Sequence, residues 1–215
     1  MNAEIIVAGT DTDVGKTVLA AALVHALDGA YWKPVQAGRE PETDSGAVLR
    51  LAGCRSDRIL PEAYVFETPA SPHLAAERDG VLIDVGKLTL PILARPLIVE
   101  LAGGLAVPLR RDLLQIDLLA RWKRPVLLVA ATRLGTINHS LLSIEALKRR
   151  AVPILGVAFV GDANDDSERT ICEIGRVARL GRLPRLAPLS NETLHPAFAA
   201  NFRVADILGL GDLGP

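Results

Sequence analysis

The chain is poor in residues that staple or grip by special chemistry: it has two cysteines, one methionine and only 4% aromatic side chains. Cys54 and Cys172 stand alone with no C-x-x-C spacing, which excludes a disulfide framework or a cysteine-held zinc and leaves both thiols to the core. Neither sign of charge is in excess, because 24 Lys+Arg oppose 25 Asp+Glu for a formal net charge of -1. Without a basic face, no nucleic acid and no membrane is expected as a partner through charge. The longest apolar runs, at 125–131 and 152–160, fall far short of the roughly 20 residues that span a bilayer. The N-terminus lacks the basic start and cleavage site of an export signal, and Glu4, Asp11 and Asp13 disfavour a mitochondrial transit peptide. The expected location is therefore cytoplasmic.

What is present is apolar substance, 49% of 215 residues. That suits one ordinary globular domain and excludes a disordered chain. No repeat, low-complexity run or linker divides it, so residues 1–215 are expected to form a single domain. Lysine is scarce: Lys16, Lys33, Lys87, Lys123 and Lys148 are the complete set, and each invites an individual reading.

Short β-branched runs alternate with longer helical stretches. The patterning predicts strands at 4–8, 30–36, 96–101, 125–131, 153–160 and 183–186. It predicts helices at 16–27, 45–52, 85–93, 136–150 and 166–180, with an irregular stretch at 55–80. In the helix at 136–150, Ile137, Leu141, Ile144 and Leu147 share one face. Such alternation requires crossovers and implies an α/β fold, a doubly wound and mainly parallel sheet covered on both faces. Residues 66–80 and 188–202 read as functional loops. In such sheets the ligand crevice lies beyond the C-terminal strand ends.

The segment Gly9-Thr-Asp-Thr-Asp-Val-Gly-Lys-Thr17 follows the first strand and opens the first helix, the setting of a phosphate-binding loop. Its N–H groups and the positive helix end would surround triphosphate oxygens, Lys16 would neutralise β/γ charge and the Thr17 hydroxyl would ligate Mg²⁺. The loop is one residue longer than the strict G-x-x-x-x-G-K-[ST] form; the alternative is a glycine-rich helix cap. Lys33, behind Tyr31-Trp32, either snorkels to solvent or aims at the phosphates from its strand end. Asp44 and Glu100, with Thr17, would make a hard, oxygen-only Mg²⁺ site, since a carboxylate at a buried strand end needs a cation or hydrogen bonds. Alternatively Glu100 is a salt-bridged or helix-capping acid and Asp44 a plain helix N-cap. His25, His73, His139 and His195 show no metal spacing, and Trp32 and Trp122 read as core or interface anchors.

With these residues in place, the chain resembles the dethiobiotin synthetases. Beside the long phosphate loop, the resemblance rests on Trp32-Lys-Pro-Val35, Pro69-Ala-Ser-Pro-His73, Glu100-Leu-Ala-Gly-Gly104, Leu134 to His139 and Gly181 to Leu186. It implies a homodimer with the P-loop NTPase type of sheet, acting on 7,8-diaminononanoate, CO₂/bicarbonate and ATP with Mg²⁺. It further implies catalytic roles for Thr12, Lys16 and Lys33. Nucleotide would touch Asp13, Val14, Gly15, Lys16, Thr17, Val18, Glu100, Leu101, Ala102, Gly103, Gly161, Asp162, Pro184, Arg185 and Leu186. Substrate would touch Thr12, Lys33 and Ala37, and its distant carboxylate would meet Gly135, Thr136, Ile137 and Asn138 of the other subunit.

Three departures from the family pattern bear on these roles. Ala37 replaces a small hydroxyl residue, which implies a lost hydrogen bond or one made through water. Leu101 replaces a glycine and is expected to alter the turn beside the phosphates. Gly161 replaces an Asn that reads the base, which loosens ATP selectivity. Two other readings share the phosphate loop: a related P-loop amidoligase, and a partitioning-type switch ATPase. The latter usually places a lysine early in the loop, where this chain has Asp11.

Overall fold

A computed structural model describes residues 3–39 and 41–209. Strand β1 (Glu4–Gly9) leads through the glycine loop into helix α1 (Lys16–Ala26), then β2 (Ala30–Trp32), β3 (Val35–Ala37) and α2 (Asp44–Ala52). After a short 3-10 turn come β4 (Tyr64–Phe66) and α3 (Pro72–Arg78), and a second 3-10 turn precedes β5 (Leu97–Gly104). A small hairpin, β6 (Pro108–Arg110) and β7 (Leu113–Leu114), runs into α4 (Gln115–Trp122). The remainder is β8 (Val126–Ala131), α5 (Thr136–Arg149), β9 (Ile154–Val160), α6 (Asp165–Gly175), β10 (Arg179–Leu183), α7 (Asn191–Asn201) and α8 (Val204–Ile207).

The main sheet has the order β10-β9-β8-β1-β5-β2, and every pairing in it is parallel. Both faces are covered, which explains why the strands read as unbroken apolar runs rather than alternating ones. The period-2 geometry divides each strand between two cores. Ile5 and Val7 join Leu19 and Leu23 of α1, Leu51 of α2 and Phe198 of α7. Ile6 and Ala8 join Ile116 and Leu119 of α4, Ile144 and Leu147 of α5 and Ile171 of α6. Each large aliphatic side chain so buried contributes about 1.5–3 kcal/mol. Trp32 and Trp122 are core anchors, their rings 6.2 Å apart, and their indole N–H groups donate to Pro61 and Leu88 carbonyls at 3.1 and 2.9 Å. Both free thiols are half-buried, and burial pushes Cys172 up to about 11, an inert thiol.

Several expected elements are redrawn. The strand expected at 30–36 is cut at Lys33-Pro34, because proline offers no N–H to the ladder; β3 leaves the main sheet and pairs in parallel with β4. The stretch expected to be irregular, 55–80, carries β4 and α3. The helix expected at 85–93 is only a 3-10 turn, Val85–Lys87, started by the Asp84 side chain accepting from the Gly86 N–H at 2.8 Å. The helix expected to reach residue 180 ends at Gly175 with Arg176 left-handed at φ 47, so β10 begins at Arg179 and not at 183. Residues 188–202 hold α7 rather than a loop. No helix among the described residues is long and apolar enough to cross a membrane.

Candidate functional site

The C-terminal ends of β1, β2 and β5 meet the start of α1 around a cavity of about 690 Å³. Its floor is the glycine loop. Gly15 has φ 95, and an added Cβ would sit 2.7–2.9 Å from the Val160 side chain. Only glycine fits that bend. Lys16, 6% exposed, folds back so that its Nζ donates to the Asp11 carbonyl at 2.8 Å. Asp13, Val14, Gly15, Thr17 and Val18 surround it; Val14 turns its side chain into the core, while Thr12, Asp13, Thr17 and Val18 line the cavity.

Lys33 does not snorkel. The break before Pro34 turns it inward, where it is 3% exposed and its Nζ lies 2.6 Å from Asp44 Oδ2 and 3.1 Å from Glu100 Oε1. Asp44 is not the N-cap of α2 either. Thr43 holds that position, accepting from the Gly46 N–H at 3.1 Å, and leaves the Asp44 carboxylate free to face the loop. Thr17 Oγ1 donates towards both acids, at 3.1 Å to Asp44 Oδ1 and 2.8 Å to Glu100 Oε1. Glu100 is thus a salt-bridged acid and, at the same time, part of a convergent oxygen cluster.

Charge compensation sets the protonation of this cluster. Burial pushes the Lys16 ammonium down to about 8; Glu100 pulls it back up and Lys33 lowers it further. For Lys33 burial also opposes charge, but Glu100 and Asp44 outweigh it and hold the ammonium above its ordinary value. Asp44 is held below the usual carboxylate range because Lys33 overcomes the penalty of burial. Thr17, Asp44 and Glu100 offer oxygen only, the chemistry of a hard divalent cation. Among the described residues no three His, Cys, Asp or Glu converge as a metal cage, so such a cation would share its coordination with phosphate oxygens and water.

Supporting residues went unnoticed in the sequence. Tyr31 donates its hydroxyl to Glu100 Oε2 at 2.9 Å. Gln36 bridges the Gly38 carbonyl at 2.9 Å and the Asp44 N–H at 3.2 Å. Gln115, from the unforeseen α4, accepts from the Ala102 N–H at 3.0 Å and donates to the Ala102 and Gly104 carbonyls. That brace holds a bulge: Val7 pairs with Glu100, yet Gly9 pairs with Gly104. The bulge brings Ala102 and Gly103 to the cavity wall, while Leu101 buries its side chain in the core. Ala37 lines the cavity as well.

The remaining candidates lie outside this cavity. Gly161, at the end of β9, donates to the Leu183 carbonyl at 2.9 Å, just before Pro184 and Leu186, and exposed Arg185 and Asp162 pair at 3.3 Å. A Cβ on Gly161 would lie 2.4 Å from Thr132 Oγ1 at a φ of 135. Gly161→Ala is therefore expected to lower stability by about 1–3 kcal/mol, read by urea unfolding; an unchanged midpoint would show that the Thr132 side chain and the backbone both yield. Gly135, Thr136, Ile137 and Asn138 open α5 on the other flank of the glycine loop. There Asp11 meets Arg133 at 3.4 Å and His139 at 3.8 Å.

The AAA domain family model matches residues 3–193. The ATP-dependent dethiobiotin synthetase BioD of Rhodopseudomonas palustris (strain TIE-1) is 63% identical over 209 residues, 97% of this chain and 99% of that protein. The chain belongs to the dethiobiotin synthetase family. The synthetase of the same name from Nitrobacter hamburgensis is 59% identical over 97% of this chain and 98% of its own length. Among solved structures, the cell division ATPase MinD of Pyrococcus furiosus matches with a TM-score of 0.52, covering 98% of this chain and all of that one at 15% identity. That likeness shows the P-loop NTPase type of fold alone. Full-length relatives near 60% identity carry the synthetase name, and the partitioning-type switch is not favoured.

Proposed function

We propose that residues 1–215 act as one cytoplasmic, ATP-dependent dethiobiotin synthetase, a cyclo-ligase that joins 7,8-diaminononanoate and CO₂ at the expense of ATP. The observation that carries this reading is the meeting of two buried and electrostatically coupled lysines, Lys16 and Lys33, in the lining of one cavity. Two adjacent cations suit a reaction in which a triphosphate and a second small anion must be brought together against their mutual repulsion.

One substrate amine attacks CO₂ and loses a proton, giving a carbamate. Lys16, Lys33 and the Thr12 hydroxyl hold that anion in line with the γ-phosphate. A carbamate oxygen then takes the phosphoryl group and ADP leaves. The second amine attacks the carbamate carbon, loses its proton and expels phosphate as the five-membered ureido ring closes. No covalent enzyme intermediate is needed; positioning and charge supply the acceleration. Thr17, Asp44 and Glu100 would hold Mg²⁺, which neutralises phosphate charge when bound. Asp13, Val14, Gly15, Val18, Leu101, Ala102 and Gly103 would cradle phosphates through backbone groups. Gly161, Asp162, Pro184, Arg185 and Leu186 would receive the base.

A homodimer completes the site in this reading. Helix α5 starts without a side-chain cap or an acid in its first turn, and the Thr136 hydroxyl is buried with no partner among the described residues. The Thr136 N–H donates to the Arg133 carbonyl at 3.1 Å; the other N–H groups that open α5 suit a carboxylate offered across a subunit boundary, and exposed Leu134 and Leu142 beside them would be covered there. Ala37 contributes contact without a hydrogen bond.

Purified protein should release ADP only when both the diamine and bicarbonate are present; release with neither would indicate a switch ATPase. Glu100→Gln should chiefly raise the Mg²⁺ concentration needed for half-maximal turnover. An unchanged metal titration would remove Glu100 from the metal site.

A further inference from the structure

Glu100 offers its two oxygens to two different neighbourhoods. Oε1 lies in the oxygen cluster, 2.8 Å from Thr17 Oγ1 and 3.1 Å from Lys33 Nζ. Oε2 turns the other way and accepts the Tyr31 hydroxyl at 2.9 Å. The sheet builds this division. Strands β2 and β5 pair in parallel with Tyr31 beside Ile98, and since side chains alternate along a strand, Tyr31 and Lys33 share the face that carries Ile98 and Glu100. Lys33 brings a cation to Oε1; Tyr31 brings a neutral donor to Oε2.

Tyr31 has no room to swing away. It is 0% exposed, and its ring belongs to the core that holds Ile5, Leu51 and Ile98. Its hydroxyl donates a single proton, so the bond both engages Oε2 and fixes the plane of the carboxylate. A cation gathered by Thr17 and Asp44 then meets Glu100 through Oε1 alone. That restriction bears on which cation is held. Ca²⁺ is large and readily takes both oxygens of one carboxylate, whereas the smaller Mg²⁺ keeps near-octahedral geometry with few carboxylates and several waters. A carboxylate confined to one oxygen handicaps Ca²⁺ and takes nothing from Mg²⁺.

We propose that Tyr31 determines the specificity of the metal site: by holding Glu100 Oε2 it confines Glu100 to one-oxygen coordination and so favours Mg²⁺ over Ca²⁺. The proposal rests on the reading above in which Thr17, Asp44 and Glu100 hold the ion. The test reads binding, not turnover. Half-saturating concentrations of Mg²⁺ and Ca²⁺ are taken from thermal unfolding of the whole protein, each metal titrated at constant ionic strength with saturating β,γ-imido-ATP. Tyr31→Phe keeps the ring and removes only the hydroxyl. It should lower the half-saturating Ca²⁺ concentration relative to that of Mg²⁺ about tenfold, the size of one hydrogen bond to a charged group. Tyr31→Met, also without a donor, should do the same. Adding Glu100→Gln to Tyr31→Phe should abolish the gain, because an amide has one oxygen to give. A merely loosened site would weaken both metals alike and leave their ratio where it was. An unchanged ratio in both Tyr31→Phe and Tyr31→Met overturns the proposal, as does a Ca²⁺ gain that survives Glu100→Gln. Wild-type protein that neither metal stabilises refutes the metal site itself and this proposal with it, whereas wild type stabilised by Mg²⁺ beside variants of unchanged ratio refutes the role of Tyr31 alone.

Discussion

Lys33→Met should abolish turnover, by about 100-fold or more, and should also destabilise the fold by about 3–5 kcal/mol. The two losses have one origin. Lys33 is the ammonium between Asp44 and Glu100, and Glu100 is only 1% exposed. Removing the cation leaves a buried carboxylate uncompensated, a far larger penalty than the loss of a surface ion pair. Millimolar Mg²⁺ should restore part of the lost stability, because a divalent cation bound by Thr17, Asp44 and Glu100 binds the folded state alone. Sodium at equal ionic strength should not. Thermal unfolding with and without each salt checks this, and equal midpoints for wild type and variant would remove Lys33 from its place between the acids.

Lys16→Met should cost turnover just as heavily, about 100-fold or more, but with the opposite effect on stability. Lys16 is buried against a backbone carbonyl, and burial pushes its ammonium from 10.5 down to about 8. Between pH 8 and 10.5 the unfolded chain therefore binds more protons than the folded one, so stability rises with pH through that window. Below pH 8 the full cost of the buried charge is present, about 3 kcal/mol. The methionine variant should be more stable by up to that amount at neutral pH and should lose the alkaline rise. Triphosphate binding should return the proton, so nucleotide binding above pH 8 should be accompanied by proton uptake, read by calorimetry in buffers of different ionisation enthalpy. Equal stability loss in the Lys16 and Lys33 variants would contradict these distinct roles.

The phosphate loop was legible because it is local: strand, bend, lysine and helix follow one another within Glu4–Ala26, and their meaning does not depend on remote contacts. Lys33 was legible only as a choice between solvent and site. What decided it was Pro34, which ends β2 and turns the lysine inward, together with two acids drawn from α2 and β5. Asp44 read equally well as a helix cap until Thr43 took that role. Tyr31 was invisible since an aromatic residue in an apolar strand reads as core, and its hydroxyl bond to Glu100 spans 69 positions. Helix α4 was lost between a hairpin and β8, although its Gln115 braces the cavity wall. Helix α7 read as a loop through Pro188 and Pro196, yet Pro196 lies within it, and Leu194 and Phe198 pack it into the core. Boundaries and braces depended on tertiary packing, whereas the strand–helix alternation, the parallel sheet it implies and the loop chemistry followed from periodicity and spacing.

The most direct measurement is mass detection of product after incubating the purified protein with the diamine, ATP, Mg²⁺ and carbon-13 bicarbonate. A dethiobiotin heavier by the labelled carbon, formed in step with ADP, is the expected result. ADP release with no labelled cyclic urea would contradict it.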